Sequence, residues 1–188
     1  MLADAAIEVL SREGARGLTH RAVDAEARVP AGTTSNYWNS REALLEILAA
    51  RIDQRLRPDP DALAESAKAL PSVSRMGVLM QQLVERVLAR PSLYIALLEL
   101  RLEATRRPRL AAALTATVAR NLEADLEFTN LARLPAGREE IVLLHLAIDG
   151  VLLDRLTAPD ARGIADANAM IETLTRRLMA RPASAETP

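Results

Sequence analysis

The stretch from Thr19 to Trp38 constrains this chain more than any other. It holds two helix-forming segments, each too short to be stable alone, separated by Arg28-Val29-Pro30, where the chain must turn. Thr19 precedes the first and caps it, its hydroxyl oxygen placed to accept from the amide two or three residues on. Val23 and Ala27, four apart, form the inward face of that helix. The second segment, residues 31–37, carries Thr33-Thr34-Ser35-Asn36-Tyr37 and offers little to bury except Trp38 beyond it. Two short helices joined by a tight turn and buttressed by longer ones make a helix-turn-helix. The second helix of such a pair enters the major groove of double-stranded DNA when its outward side chains are small or polar. The competing reading is a polar capping loop ahead of the next helix.

The flanks supply the buttresses. A first helix spans residues 2–13, with Ala6, Ile7, Val9 and Leu10 apolar and Gly14 as its stop. Ser40 caps a fourth, Glu42 in its first turn complements the helix dipole, and Leu44, Leu45, Ile47, Leu48, Ile52 and Leu56 follow before Pro58 and Pro60 end it. Residues 57–71 then read as a boundary. Beyond them, prolines recur ahead of apolar-periodic segments at residues 73–89, 92–106, 109–132, 138–156 and 160–179. The expectation is an all-α chain of about nine helices. It comprises a helix-turn-helix domain over residues 1–57 and a larger helical effector-binding and dimerisation domain over residues 58–188.

Composition narrows the function. Nearly half of the residues are apolar, ample for a continuous core, and no apolar run reaches the ~18 residues of a membrane span. The opening residues lack the basic region and cleavage site of a signal peptide, so a cytoplasmic location without membrane contact is expected. The absence of cysteine excludes disulfides, thiolate metal sites and a cysteine nucleophile. Two histidines offer little for catalysis, so neither an enzyme nor a cofactor is expected. Lys68 is the only lysine among many arginines and alanines, a bias suggesting a GC-rich bacterial genome. The net charge of −1 gives no support to nucleic-acid binding, which must rest on local features.

The ordering of the first 45 residues resembles the tetracycline-repressor (TetR) family of bacterial regulators. The matching residues are Ala5-Ala6 through Leu10, Gly14, Gly17-Leu18-Thr19, Arg21-Ala22-Val23, Ala27, Val29, Gly32-Thr33, Tyr37-Trp38 and Ser40 through Leu45. The resemblance implies a homodimeric transcriptional regulator, most readily a repressor, released from a near-palindromic operator by a small-molecule effector. The alternative is a small helical ligand-binding protein or enzyme without DNA binding. The resemblance gives Thr19 and Tyr37 to phosphates, Arg21 to a phosphate or base edge, and Arg41 to a clamp on the DNA backbone. Ala31, Gly32, Thr33, Ser35 and Asn36 form the groove-facing surface, while Trp38 is core.

Four departures stand out. Arg28 occupies the turn position where the family carries Gly, which places a non-Gly residue near the left-handed region. Asp24 replaces Ala and is expected to face Arg28 or solvent. Thr34 replaces a large aliphatic residue, and Ser35 a tyrosine, so base readout falls to small groups and bridging water. Residues 1–57 hold eight arginines against eight carboxylates, and the sequence opens almost directly into its first helix, without the basic arm of relatives. Either dimer avidity compensates or the natural start lies upstream.

Residues 138–156 are apolar nearly all round and must be covered on more than one side. With residues 160–179 from two subunits they would form a four-helix, two-fold interface through Leu144, His145, Ile148, Leu152, Ile164, Ile171, Leu174 and Leu178. His145 and Asp149, four apart, read as an interface pair in preference to a metal or pH-sensing site. The resemblance places an effector cavity among Met80, Leu83, Val84, Val87, Tyr94, Leu97, Leu98, Arg101, Leu114, Val118 and Leu122. Arg101 would there pair with an anionic effector, or else be a solvated surface charge.

Overall fold

The computed structural model describes residues 1–159, 161, 163 and 166–179, which contain ten helices and no strand. In chain order these are α1 (Leu2–Gly17), α2 (His20–Glu26), α3 (Thr33–Tyr37), α4 (Arg41–Leu56), α5 (Pro60–Ala67), α6 (Val73–Leu88), α7 (Pro91–Ala104), α8 (Pro108–Leu131), α9 (Arg138–Thr157) and α10 (Ala167–Met179). The additional helix is α5, inside the stretch read as a boundary. Pro60 breaks α4's pattern but suits the first position of a new helix, and the Asp59 carboxylate accepts from the Asp61 amide at 3.1 Å. Asp160, the expected start of the last helix, lies outside the described residues. The Asp166 carboxylate accepts from the Asn168 and Ala169 amides and so caps α10.

Gly14 does interrupt α1, at φ 68°, but a further helical turn follows. That turn needs an acceptor for its leading amide, and α7 supplies one: Ala15 N–H donates to the Glu99 carboxylate at 3.1 Å.

The chain divides into two compact units. The first joins Met1–Arg57 to Arg90–Arg120, the second Pro58–Ala89 to Asn121–Pro188. This differs from a simple division after residue 57, because the first helices bury their apolar faces on later ones. Ile7, Val9 and Leu10 of α1 and Leu44, Leu45, Leu48 and Ile52 of α4 share one core with Leu93, Ala96 and Leu100 of α7 and Leu110 of α8. Trp38 packs against it, as expected. The second unit closes around Met76 of α6, Ala132 and Leu134 after α8, Ile141 and Leu144 of α9, and Met179 of α10. Among the described residues no helix is long and apolar enough to cross a membrane.

Ion pairs tie the first unit at its edges. Asp4 accepts from Arg51 through both oxygens, each at 3.0 Å, and from Arg55 at 2.9 Å, joining the start of α1 to the end of α4. Glu103 accepts from Arg106 and Arg107, and Arg107 also reaches Glu42 of α4. The hydrogen bonds from Arg51 hold the Asp4 carboxyl well below the ordinary aspartate range; burial opposes them, and the N-terminal ammonium and Arg55 assist. A depressed folded-state pKa stabilises the fold above the ordinary aspartate value of 3.8, and that contribution is lost progressively as pH falls from there through the depressed value. D4N should therefore lower Tm at pH 7 and flatten the decline of Tm between about pH 5 and pH 2. Circular-dichroism melts across that range check this; parallel curves for the two proteins would refute it.

Candidate nucleic-acid interface

The helix-turn-helix is assembled from backbone requirements that single residues meet. Thr19 Oγ1 accepts from Ala22 N–H at 3.1 Å and so caps α2. As an acceptor in that bond, its exposed hydroxyl keeps its proton for an outside oxygen. Arg28 takes φ 54°, the left-handed turn its position demands without the glycine that eases it. Gly32 takes φ 92° and precedes α3 with open space where a side chain would stand.

A five-residue helix with glycine at its N-cap has no capping side chain of its own. Asp24 provides one from α2. Only 3 % exposed, its carboxylate accepts from Gly32 N–H and Thr34 N–H, each at 2.7 Å, and from the Thr34 hydroxyl. Asp24 thus faces neither Arg28 nor solvent. The bond from the Thr34 hydroxyl holds its pKa below the ordinary value; burial opposes, while the two amides and the charge of His20 assist. Thr34 is 0 % exposed, so it faces inward while its neighbours face out.

The outward face is as small and polar as expected. Ala31, Ser35 and Asn36 are exposed, Gly32 and Thr33 half-buried, and Tyr37 is 71 % exposed. Two hydroxyl protons are already committed: Thr33 donates to Pro30 O at 2.6 Å and Ser35 to Gly32 O at 2.9 Å. Those oxygens therefore present lone pairs, suited to accept from base amino groups or bridging water. Arg41, expected on the DNA backbone, donates instead to the carbonyls of Leu18 and Ala15, bracing the start of α4 against the end of α1.

The neutral charge of residues 1–57 conceals an asymmetry. Each of the eight carboxylates has a partner. Asp4 holds Arg51 and Arg55, Glu8 holds Ser92, Glu13 and Glu26 hold Arg12, Asp24 holds α3, Glu42 holds Arg107, Glu46 holds Arg109 and Asp53 holds Arg57. Among the described residues, Arg16, Arg21 and Arg28 are left without a hydrogen-bond or ion-pair partner, and all three are exposed. Sequence reasoning chose Arg21 and missed the other two, because it summed charges without pairing them.

The remaining expectations fall within one unit or the other. Of the cavity residues, Tyr94 is buried in the first unit, Leu97, Leu98 and Leu114 half-buried, and Arg101 exposed, while Val118 is 57 % exposed and lines no enclosed wall. In the second unit Val84 and Val87 are buried, and Met80, Leu83 and Leu122 half-buried. Of the interface residues, Leu144, Ile148, Leu152 and Ile171 are buried within the chain itself, Leu174 and Leu178 are half-buried, and Ile164 lies outside the described residues. His145 pairs with Asp125 of α8 at 3.0 Å, not with Asp149. The exposed apolar stripe of α9 is instead Leu143, Leu146 and Leu153, with Leu146 65 % exposed. An apolar run of that length does not reveal which face its own chain covers. Beside the stripe, Gly150, Leu153 and Thr157 of α9 and Met170 and Leu174 of α10 border an open groove of about 530 Å³.

Asp24 and Thr34 depart together from the residues their positions carry in the family resembled, Ala and a large aliphatic. One substitution without the other strands a buried polar group. D24A should lower Tm and weaken DNA binding through loss of α3's anchor. D24A/T34L should recover part of the lost Tm, because the Thr34 hydroxyl is no longer stranded while the Gly32 and Thr34 amides still lack their acceptor. Thermal melts of the four proteins of this double-mutant cycle decide it; additive losses would show that the two positions are not coupled.

Comparison with known proteins agrees with this geometry. The family described as "Bacterial regulatory proteins, tetR family" matches residues 2–48, and "Tetracyclin repressor-like, C-terminal domain" matches residues 71–181. No curated protein sequence matches the chain. Among solved structures, the multidrug binding protein EbrR, complexed with imidazole, is 25 % identical over 97 % of this chain and 95 % of its own, with TM-score 0.68. A regulator assigned to the TetR family from Rhodococcus sp. is 19 % identical over 95 % of this chain and 96 % of its own, with TM-score 0.74. The TetR-family member SCO1917 from Streptomyces coelicolor A3 is 23 % identical over 94 % and 95 %, with TM-score 0.68. With both of its halves matched and a helix-turn-helix built as described, the chain belongs to the TetR family of transcriptional regulators.

Proposed function

We propose that this regulator is a homodimeric repressor that binds a near-palindromic operator and is released by a small-molecule effector. The observation that carries the reading is α3: anchored from below by Asp24, it turns outward only small polar groups and Tyr37. Thr19, Arg21 and Tyr37 contact phosphates, joined by Arg16 and Arg28. Ala31, Gly32, Thr33, Ser35 and Asn36 face the bases, and Arg41 supports them from behind. The α9 stripe of Leu143, Leu146 and Leu153, with α10, forms the subunit interface. It sets two α3 helices ~34–36 Å apart, or a multiple of that, on the operator. Effector binding changes that spacing and lowers affinity. The complex of EbrR with imidazole supports a small-molecule effector for this chain.

Fluorescence-anisotropy titrations with duplex from the gene's flanking intergenic region test the reading. Three unpaired arginines on each of two subunits predict a slope of log Kobs against log salt of about −5, and R21A or R28A should reduce its magnitude by about 2. A verified dimer that fails to bind this DNA at low salt would favour a helical ligand-binding protein instead. L146E should give a folded monomer in sedimentation with weakened operator binding; an intact dimer would move the interface elsewhere.

A further inference from the structure

Among the described arginines of the second unit, several have evident partners, and Arg133 and Arg177 are exposed to solvent. Arg75 donates to Ala69 O and Ser66, Arg138 to Glu123, and Arg176 lies 3.8 Å from Glu172. Arg86, near the end of α6, has neither a partner nor full exposure. It is half-buried, its Nε is enclosed and makes no hydrogen bond, and among the described residues no carboxylate or carbonyl answers its guanidinium. Burial alone pushes its pKa down. A guanidinium so placed retains its charge at any pH the protein meets. A desolvated cation with an unmet donor is destabilising. The last turn of α6 compensates in part, since a cation there suits the helix dipole, yet the dipole leaves the Nε–H without an acceptor.

What surrounds Arg86 along its helix indicates the missing acceptor's chemistry. Leu79, Leu83 and Arg86 stand at i, i+4 and i+7 and so share one face of α6. Leu83 is half-buried, and Leu79 is half-buried at the edge of the second unit's core, against which it packs. The face runs ~10 Å from the edge of that core, past Leu83, to a cation.

We propose that Arg86 is the recognition site for an anionic group on the effector, with the apolar body of the same molecule lying along Leu83 toward the edge of the second unit's core. The ligand class is a medium-chain or aromatic carboxylate or phosphate monoester, held by a charge-assisted pair of hydrogen bonds. This rests on the effector-responsive reading above and shifts anion recognition there from Arg101 to Arg86.

The test uses the full-length dimer and four probes of equal chain length: octanoate, octyl phosphate, octanol and octylamine. Thermal shift and operator anisotropy are read for the wild type, R86M and R86K. At least one anion should raise the wild-type Tm and release DNA at concentrations where octanol and octylamine do neither. R86M should weaken that response ~10- to 100-fold and, without ligand, melt at or above the wild-type temperature while binding operator normally. R86K should retain part of the response.

An undiminished response in R86M, or equal responses to octanol and octylamine, overturns Arg86 as an anion site and leaves the repressor reading intact. No response to either anion also overturns it, whatever R86M does to Tm. Stabilisation by an anion through Arg86 without release of DNA would leave the site standing and refute the effector-responsive reading.

Discussion

A single carboxylate holds the reading head together. Asp24 reaches from α2 across the turn to the first amides of α3, a helix of five residues that would not persist in isolation. Three donors converge on it, so its burial leaves little of its hydrogen-bonding capacity unmet. The left-handed Arg28 and Gly32 bring the chain round to where that convergence is geometrically available. Every outward group on α3 inherits its direction from this anchor. Hydrogen bonds at Asp24 and Thr34 impose sharper angular demands than an apolar contact would.

The second organising feature is the sorting of charge. Acids and arginines in the first 57 residues are equal in number, and most of the acids are consumed in joining helix to helix. What remains exposed and unpaired is cationic. Electrostatic attraction to a polyanion depends on such residual charge, since paired charges cancel within a Debye length. A neutral head can therefore present a basic surface, provided its anions are all directed inward or sideways.

Much of this was legible beforehand. The caps at Thr19 and Ser40, the strained turn at Arg28 and the small outward face of α3 follow from residue chemistry within four positions of each site. Less legible were contacts between residues farther apart. Asp24 acts eight and ten positions downstream, and Arg41 donates to carbonyls more than twenty positions upstream. His145 meets Asp125 on another helix instead of Asp149 one turn away. α9 shows the limit of periodicity: apolar on every side, it carries no record of which face its own chain would cover, and the buried and exposed leucines were exchanged.

The interleaving of the two units bears on how such a regulator can be rebuilt. The chain passes from one unit to the other after Arg57, again after Ala89 and again after Arg120. A reading head cut out at Arg57 would leave behind Leu93, Ala96, Leu100 and Leu110, the residues that close its core. Grafting this head onto another sensor therefore means transplanting α7 and the first half of α8 with it. In modular terms, the transferable cassette is discontinuous, and natural recombination at the apparent domain boundary would yield an open, unsealed head.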